Sequence, residues 1–180
     1  GLAGCFTAGN DLADFNTRES VGLPVAVTFL LALHELKKPI IAAVSGLAVG
    51  IGTTLLLHCD LVYAAKNTRF RLPFVNLGLC PEASSSMLFP EMIGHRAASE
   101  LLFFGDFFET DAAVKSGLVN QAVAADELHD VVFERAQRLT NQPVQALLET
   151  KRLLKSGNYE AIKQRILDES AVFTELLNND

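Results

Sequence analysis

A continuous apolar run at residues 40–44, IIAAV, limits the possible folds more than any other feature of this sequence. An apolar run of this length, without alternating polar residues, is typical of a strand that is buried on both faces. A glycine-rich loop, a helical segment at residues 53–58 and a second apolar run at residues 60–64, DLVYA, follow it. This order of strand, loop, helix and strand predicts an α/β fold in which helices cover a sheet.

The segments on either side extend this pattern. Residues 3–7 predict a short strand that ends in a turn, residues 20–36 a helix, and residues 70–73 an extended piece. Toward the C terminus helical periodicity dominates, interrupted by a short strand at 118–123, and the last helix covers 158–177. We therefore predict one domain with alternating α/β units first and a helical region last.

Composition and charge exclude several classes of function. The net charge of −6 argues against a broad surface for nucleic acid or anionic membrane, although a few local donors can still bind a small anion. The cysteines Cys5, Cys59 and Cys80 form no CxxC or CxxH pair, so neither a zinc site nor a disulfide framework is indicated. Without a leading signal peptide or an apolar run of about 18 residues, we expect a cytoplasmic protein.

Two turns rich in small residues follow predicted strands, FTAGND at residues 6–11 and LAVGIGT at residues 47–53. Ligands of α/β proteins bind beyond the carboxyl ends of strands, where backbone N–H groups of such turns can point into a cleft. Side by side, the two turns can form an oxyanion hole. The alternative is that both are tight structural turns, with Asp11 and Asp14 as turn or helix-cap residues.

A single acid, Glu82, stands in the otherwise apolar and small-residue stretch LGLCPEASSSMLFP at residues 77–90. One explanation is a solvated carboxylate at a helix start, which the helix dipole stabilises by roughly 0.3–1 kcal/mol. The other is a base in an apolar pocket, where burial raises the pKa of the carboxyl group toward neutrality. From these residues alone both explanations stay open.

The remaining polar side chains give weaker signals. His58, in the apolar stretch LLLHCD, is predicted to be a hydrogen-bonded core residue, and the other histidines are predicted to lie on the surface: His34, His95 and His129. The serines after Glu82 lack a GxSxG elbow. Lys37 and Lys38 are most simply solvated, with a phosphate contact as the alternative.

The two turns and the PE motif carry a resemblance to a known family. FTAGNDLADF at residues 6–15, the stretch 37–94 from KKPIIAAVSGLAVGIG to EASSSMLFPEMIG, and FFETDAAVKSGLVNQAV at 107–123 resemble the crotonase superfamily, the enoyl-CoA hydratase/isomerase fold. The resemblance implies a core of ββα spiral units at residues 1–125 and a helical, oligomerising region at residues 126–180. It also implies homotrimers or hexamers, and that the family's N-terminal strands and C-terminal helices are missing here.

The resemblance further implies a site for an acyl-CoA thioester. Two backbone N–H groups, matched to Asn10 and Ile51, would hold the thioester carbonyl and stabilise an enolate. Further substrate contacts would come from residues around the turns and from apolar walls: Ala8, Gly9, Asp11, Leu12, Phe15, Gly50, Phe74 and Leu79.

The departures from the family pattern select among its reactions. Hydratases of the family carry two acids at positions that here hold Thr54 and Phe74, so ordinary hydration is not expected. Glu82 matches the single acid of the peroxisomal-type Δ3,Δ2-enoyl-CoA isomerases. The resemblance therefore implies an isomerase of fatty acid β-oxidation that uses no metal and no cofactor. The alternatives are another crotonase reaction, as a hydratase or thioester hydrolase, and a non-catalytic protein that binds CoA thioesters.

Overall fold

Strands and short helices alternate in the first two thirds of the chain, and long helices follow. The computed structural model describes residues 4–9 and 23–178. The strands of this part are β1 Cys5–Thr7, β2 Ile41–Val44, β3 Leu47–Val49, β4 Leu61–Ala65, β5 Arg69–Arg71, β6 Phe108–Glu109 and β7 Gln121–Val123. The helices are α1 Val25–Glu35, α2 Ile51–Thr54, α3 Ser85–Ile93, α4 His95–Phe104, α5 Thr110–Lys115, α6 Leu128–Thr140, α7 Val144–Lys155 and α8 Tyr159–Asn178.

The strands of the described ranges form one sheet in the order β1-β3-β5-β6 and another in the order β2-β4-β7. Strand pairing is parallel throughout, except that β5 and β6 are antiparallel. The consecutive strands β2 and β3 belong to different sheets, so the chain crosses between the sheets at Gly46, which has a φ of 81°. A Cβ at Gly46 would lie 2.8 Å from the backbone nitrogen of Cys5, so a side chain does not fit at this crossing.

The main core lies where helices cover the sheets. Val44, Ala48 and Phe70, from three strands, are fully buried together with Phe89 of α3. The predicted strand at residues 60–64 is β4, which begins and ends one residue later and is buried along most of its length. The α/β class with a helical C-terminal region is therefore confirmed.

The prediction was wrong for residues 47–49, which were assigned to a loop and instead form β3. Three residues between glycines are too few to show a period, and the partners of β3, β1 and β5, lie far away in the sequence. The predicted helix at residues 53–58 begins earlier, as α2, and continues as a 3₁₀ turn, Leu55–His58.

The C-terminal helices pack back onto the α/β part. The predicted last helix is α8, which packs against α1. Helix α7 is joined to the start of β4 by an ion pair in which Lys151 Nζ lies 2.7 Å from Asp60 Oδ2. None of the described helices combines the length and the apolar character that crossing a bilayer requires. The division into regions 1–125 and 126–180 remains a prediction.

Candidate active site

The two small-residue turns lie side by side. Strands β1 and β3 pair in parallel, with Cys5 opposite Leu47 and Thr7 opposite Ala48. Both turns therefore begin at the carboxyl ends of neighbouring strands, on the same side of the sheet. A Cβ on Gly52 would lie 2.8 Å from the carbonyl oxygen of Thr7, and a larger residue there would force the turns apart. The backbone thus brings the second turn directly against the first.

Backbone hydrogen bonds fix the second turn. The N–H of Gly50 donates to the carbonyl of Arg71 at 2.9 Å, and the Gly50 carbonyl accepts from Thr53 and Thr54 at 2.9 and 3.0 Å. The hydroxyl of Thr53 donates to the carbonyl of Ala48 at 2.6 Å. Ile51 is the first residue of α2, so its N–H has no acceptor within the helix.

Only part of the first turn is described. Ala8 is exposed and Gly9, whose N–H lies 3.2 Å from Thr7 Oγ1, is half-buried. Four predicted site residues lie outside the described residues: Asn10, Asp11, Leu12 and Phe15. The roles of Asn10 and Ile51 as oxyanion donors therefore both remain predictions.

Glu82 is a half-buried acid in the segment that leads into α3. Among the described residues, none donates a hydrogen bond to its carboxylate. Burial raises the pKa of Glu82 to about 7, and the negative charge of Glu169 adds to this increase. A carboxyl group with this pKa can both accept and return a proton near neutral pH.

Another residue makes the contacts that a helix-start acid would make. Helix α3 begins at Ser85, and its first turn contains no acid. The N–H groups of Ser84 and Ser86 donate to the two carboxylate oxygens of Glu169, at 2.6 and 2.9 Å. The interpretation of Glu82 as the helix-start carboxylate of α3 therefore does not hold. The carboxylate that binds the N–H groups at the start of α3 is that of Glu169, from α8.

The turn after Glu82 has an unusual backbone. Ala83 and Ser84 have φ values of 61° and 58°, in the left-handed region that non-glycine residues rarely adopt. Such strain costs on the order of 1–3 kcal/mol per residue and persists only where the surroundings enforce it. Here the ring of His58 donates from Nε2 to the carbonyl of Ala83 at 2.8 Å, and Ser85 Oγ donates to the carbonyl of Glu82 at 2.5 Å.

The acid and the second turn share one apolar cluster. Ala83, directly after Glu82, is buried in this cluster, and the half-buried side chains of Ile51 and Met87 pack against it. The other buried members come from helices α1 and α8: Val27, Leu30, Ile162 and Ile166. Packing on common neighbours therefore joins the residue after the acid to the first residue of α2.

The positions where family hydratases carry acids are filled differently. Thr54 is fully buried, and its hydroxyl lies 3.4 Å from the carbonyl oxygen of Gly50. Phe74 belongs to the main core, as does Leu79, whose N–H donates to the carbonyl of Phe74 at 2.8 Å. The roles of Phe74 and Leu79 as acyl-pocket walls remain predictions.

The histidines are placed partly as predicted. His58 is a buried, hydrogen-bonded core residue, and burial lowers its pKa to about 4, so the ring is neutral near pH 7. His95 and His129 are exposed. The prediction for His34 was wrong: α8 covers it, it is 1% exposed, and its Nε2 lies 3.0 Å from the carbonyl oxygen of Tyr159.

Sequence reasoning did not find Glu169, which is 6% exposed. A signal for it was present in the spacing. The buried residues of α8 are Ile162, Ile166 and Glu169, which recur at intervals of four and three. An acid at that spacing lies on the apolar face of the helix, where a carboxylate requires a partner.

Comparisons with known proteins place the chain in a family. The family profile described as Enoyl-CoA hydratase/isomerase matches residues 1–180. The rat (Rattus norvegicus) protein "Enoyl-CoA delta isomerase 2" is 33% identical over 170 residues, which are 90% of this chain and 43% of that protein. The "2,3-dehydroadipyl-CoA hydratase" of Escherichia coli K12 is 29% identical over 178 residues, covering 98% of this chain and 70% of that protein.

A solved structure shows the same fold. The structure of Pseudomonas aeruginosa OdaA matches with a TM-score of 0.93 and 43% sequence identity, over 97% of this chain and 72% of that one. The chain spans less than half of the length of the rat relative. With the profile matched along its whole length, the chain belongs to the enoyl-CoA hydratase/isomerase family, the crotonase superfamily.

Proposed function

We propose that this protein is an enoyl-CoA isomerase that shifts the double bond of a 3-enoyl-CoA to the 2-position, with Glu82 as the acid/base. The observation that carries the proposal is the pKa of about 7 that burial gives to the Glu82 carboxyl group, whose chain neighbour Ala83 lies in the apolar cluster against which Ile51 packs. The similarity to the rat delta isomerase supports the same reaction class.

In the proposed reaction one proton moves and nothing is oxidised or reduced. The Glu82 carboxylate takes a proton from C2, and the C2–H electrons form a dienolate whose charge rests on the thioester oxygen. The N–H groups of Ile51 and Asn10 hold that oxygen, and donors of this kind contribute roughly 3–4 kcal/mol each. The protonated Glu82 then returns the proton to C4, and the double bond lies between C2 and C3. The proposal needs no metal and no cofactor.

Hydration is the second candidate, because the Escherichia coli relative is named a hydratase. Adding water across a double bond uses one group to activate the water and another to protonate carbon. Thr54 is tied to the Gly50 carbonyl and Phe74 lies in the core, so neither position supplies a carboxylate. These side chains support isomerisation over hydration. Thioester hydrolysis and CoA-ester binding without turnover are the further alternatives.

One assay series separates these possibilities. The full chain is incubated with a 3-enoyl-CoA, a 2-enoyl-CoA and a saturated acyl-CoA, and the 2-enoyl product, the hydrated product and free CoA are measured. The proposal predicts turnover of the 3-enoyl-CoA alone to the 2-enoyl-CoA. Fast hydration or CoA release without isomerisation would contradict it, as would measurable binding of all three esters with no turnover.

We also propose that the protein assembles as a homotrimer, or as a hexamer of two trimers. The support is an exposed aromatic group at the end of α4, where Phe103 and Phe104 are 64% and 62% exposed. A cleft of about 660 Å³, lined partly by Phe107 and Leu101, lies beside it. Large exposed apolar patches mark interaction surfaces. Light scattering on the purified chain tests the proposal, and a monomer at micromolar concentration would contradict it.

A further inference from the structure

The carboxylate of Glu169 is a buried charge without a role in the proposed proton transfer. It lies on the face of α8 that packs against the cluster of Ala83. Burying a carboxylate is costly unless hydrogen bonds compensate for the lost water. Both oxygens of Glu169 accept backbone hydrogen bonds, Oε2 from Ser84 and Oε1 from Ser86, at 2.6 and 2.9 Å.

These two bonds lie directly at the strained turn. Ser84 is one of the two left-handed residues after Glu82, and Ser86 is in the first turn of α3. A carboxylate that holds both N–H groups therefore fixes the direction in which the chain leaves Glu82. His58 fixes the other side of the same turn through the carbonyl of Ala83.

A merely structural cap would not require a charge here. A serine at the N-cap normally accepts the first N–H bonds with its own hydroxyl. Ser84 is the N-cap, but its Oγ is buried and has no hydrogen-bond partner within the described part of the chain. The chain instead uses a second carboxylate near Glu82, although like charges in one site repel each other.

We propose that Glu169 is a positioning residue: its hydrogen bonds to the N–H groups of Ser84 and Ser86 hold the left-handed turn at Ala83 and Ser84 so that Glu82 keeps its catalytic placement. This inference rests on the proposed isomerase function. The proposal gives Glu169 no contact with the substrate, because both of its carboxylate oxygens bind backbone N–H groups.

The charged and titratable groups around this pair are few among the described residues. The negative charge of Glu169 raises the pKa of Glu82, and burial raises the pKa of Glu169 itself, while its bonds to Ser86 and Ser84 oppose that increase. Cys80 donates from Sγ to the backbone carbonyl of Glu169 at 3.6 Å. Arg165, one turn earlier on α8, favours the ionised form of Glu169.

The test compares three variants of the full chain with the wild type. Glu169→Gln removes the charge and one acceptor, because an amide NH₂ then faces a backbone N–H. Glu169→Asp keeps the charge but shortens the reach. Glu175→Gln removes an exposed acid from the same helix and is the matched control. The measurements are kcat and KM for the 3-enoyl-CoA as a function of pH.

The expected result separates position from charge. Glu169→Gln should lower kcat by roughly tenfold to a hundredfold with KM within about threefold, because small misplacements of a reacting group have effects of this size. In the pH–rate profile of Glu169→Gln, the acid limb, which is the rise of kcat with pH as Glu82 ionises, should move to lower pH by about half a unit or more. The reason is that a neighbouring negative charge is lost. Glu169→Asp should lower kcat without moving the limb, and Glu175→Gln should behave as wild type.

A second measurement does not depend on activity. Amide hydrogen exchange of Ser84 and Ser86 should be slow in the wild type and in Glu175→Gln, and at least about tenfold faster in Glu169→Gln. If Glu169→Gln does not fold, Glu169→Asp provides both measurements, with partial loss of protection and an unmoved acid limb.

The outcomes distinguish failure of the inference from failure of the proposed function. An active wild type together with a Glu169→Gln variant of unchanged kcat and unchanged acid limb overturns the positioning role and leaves the isomerase proposal intact. A wild type that does not turn over the 3-enoyl-CoA overturns the proposed function, and the inference with it.

Discussion

The Nε2 nitrogen of His58 lies 2.8 Å from the carbonyl oxygen of Ala83, the residue after Glu82. Because burial lowers the pKa of His58 to about 4, the ring is neutral near pH 7 and donates from Nε2. His58 ends the helical segment whose first residue is Ile51. One short segment therefore begins at the proposed oxyanion donor, Ile51, and at its end supports the turn that follows the acid.

The first prediction concerns this hydrogen bond. His58→Leu fills a similar volume but leaves the buried Ala83 carbonyl without its donor, which should lower the free energy of unfolding by about 1–3 kcal/mol. His58→Gln retains an N–H donor and should lose less. Urea unfolding measures both, with the exposed His95→Leu as the control. A His58→Leu variant as stable as His95→Leu would show that the bond contributes nothing.

The second prediction is the pH dependence of the reaction. Glu82 must be ionised to accept the C2 proton, and burial raises its pKa to about 7. The value of kcat/KM should therefore rise with pH up to about 7 and level off above it. Rates measured from pH 5 to pH 9 check this. A rate that is already constant from pH 5 upward would mean that the acid limb does not belong to a buried Glu82.

The third prediction is that the acid lowers the stability of the fold at high pH. The folded pKa of about 7 lies above the ordinary value of 4.5, so between these values the folded state binds more protons than the unfolded state. Stability should fall as the pH rises through this window. At pH 8, Glu82→Gln should then be more stable than wild type by on the order of 1–3 kcal/mol. Thermal unfolding at pH 5 and pH 8 tests this, and an equal difference at both values would contradict it.

The fourth prediction concerns the ion pair between α7 and β4. Lys151 is 5% exposed, and its ammonium group donates to both Asp60 Oδ2 and the carbonyl of Lys38 at 2.7 Å. Lys151→Met leaves Asp60 without its cation, while the N–H of Ile40 still donates to Oδ2 at 2.7 Å. The free energy of unfolding should fall by about 2–3 kcal/mol, since that carboxylate remains partly solvated. Urea unfolding measures the loss, and kcat should not change.

The control for this pair is its neighbour on the helix surface. Arg152 binds Glu149 at 2.7 Å, but both side chains are largely exposed. Arg152→Ala should change stability by less than about 0.5 kcal/mol. Equal effects of the two substitutions would mean that burial of Lys151 does not strengthen its ion pair.

Local features of the sequence predicted much of this structure. Two features depend mainly on residues that are close in sequence: the apolar run at 60–64 and the glycine turn before Ile51. The hydropathy pattern and the glycine spacing are therefore sufficient to predict a strand and a turn there. The acid Glu82 stands out locally because it is the single acid in an otherwise apolar and small-residue stretch, whereas its proximity to Glu169 follows from the packing of α8.

The features that were missed depend on distant parts of the chain. Strand β3 is too short to show a period and is defined by partners on both sides. His34 has charged sequence neighbours, and only the packing of α8 buries it. The carboxylate of Glu169 accepts a hydrogen bond from the N–H of Ser84, which lies 85 residues earlier in the chain. No local sequence pattern specifies such a contact.

The most direct test of the proposed mechanism is the rate of 3-enoyl-CoA isomerisation by Glu82→Gln, measured at pH 8 beside wild type and Glu91→Gln, an exposed acid of the same helix region. Removing a positioned acid/base from the reacting proton should lower kcat by about 10³-fold, while binding of the CoA ester is retained. Glu91→Gln should keep the wild-type rate. Equal turnover by wild type and Glu82→Gln would contradict the assignment of Glu82 as the catalytic acid/base.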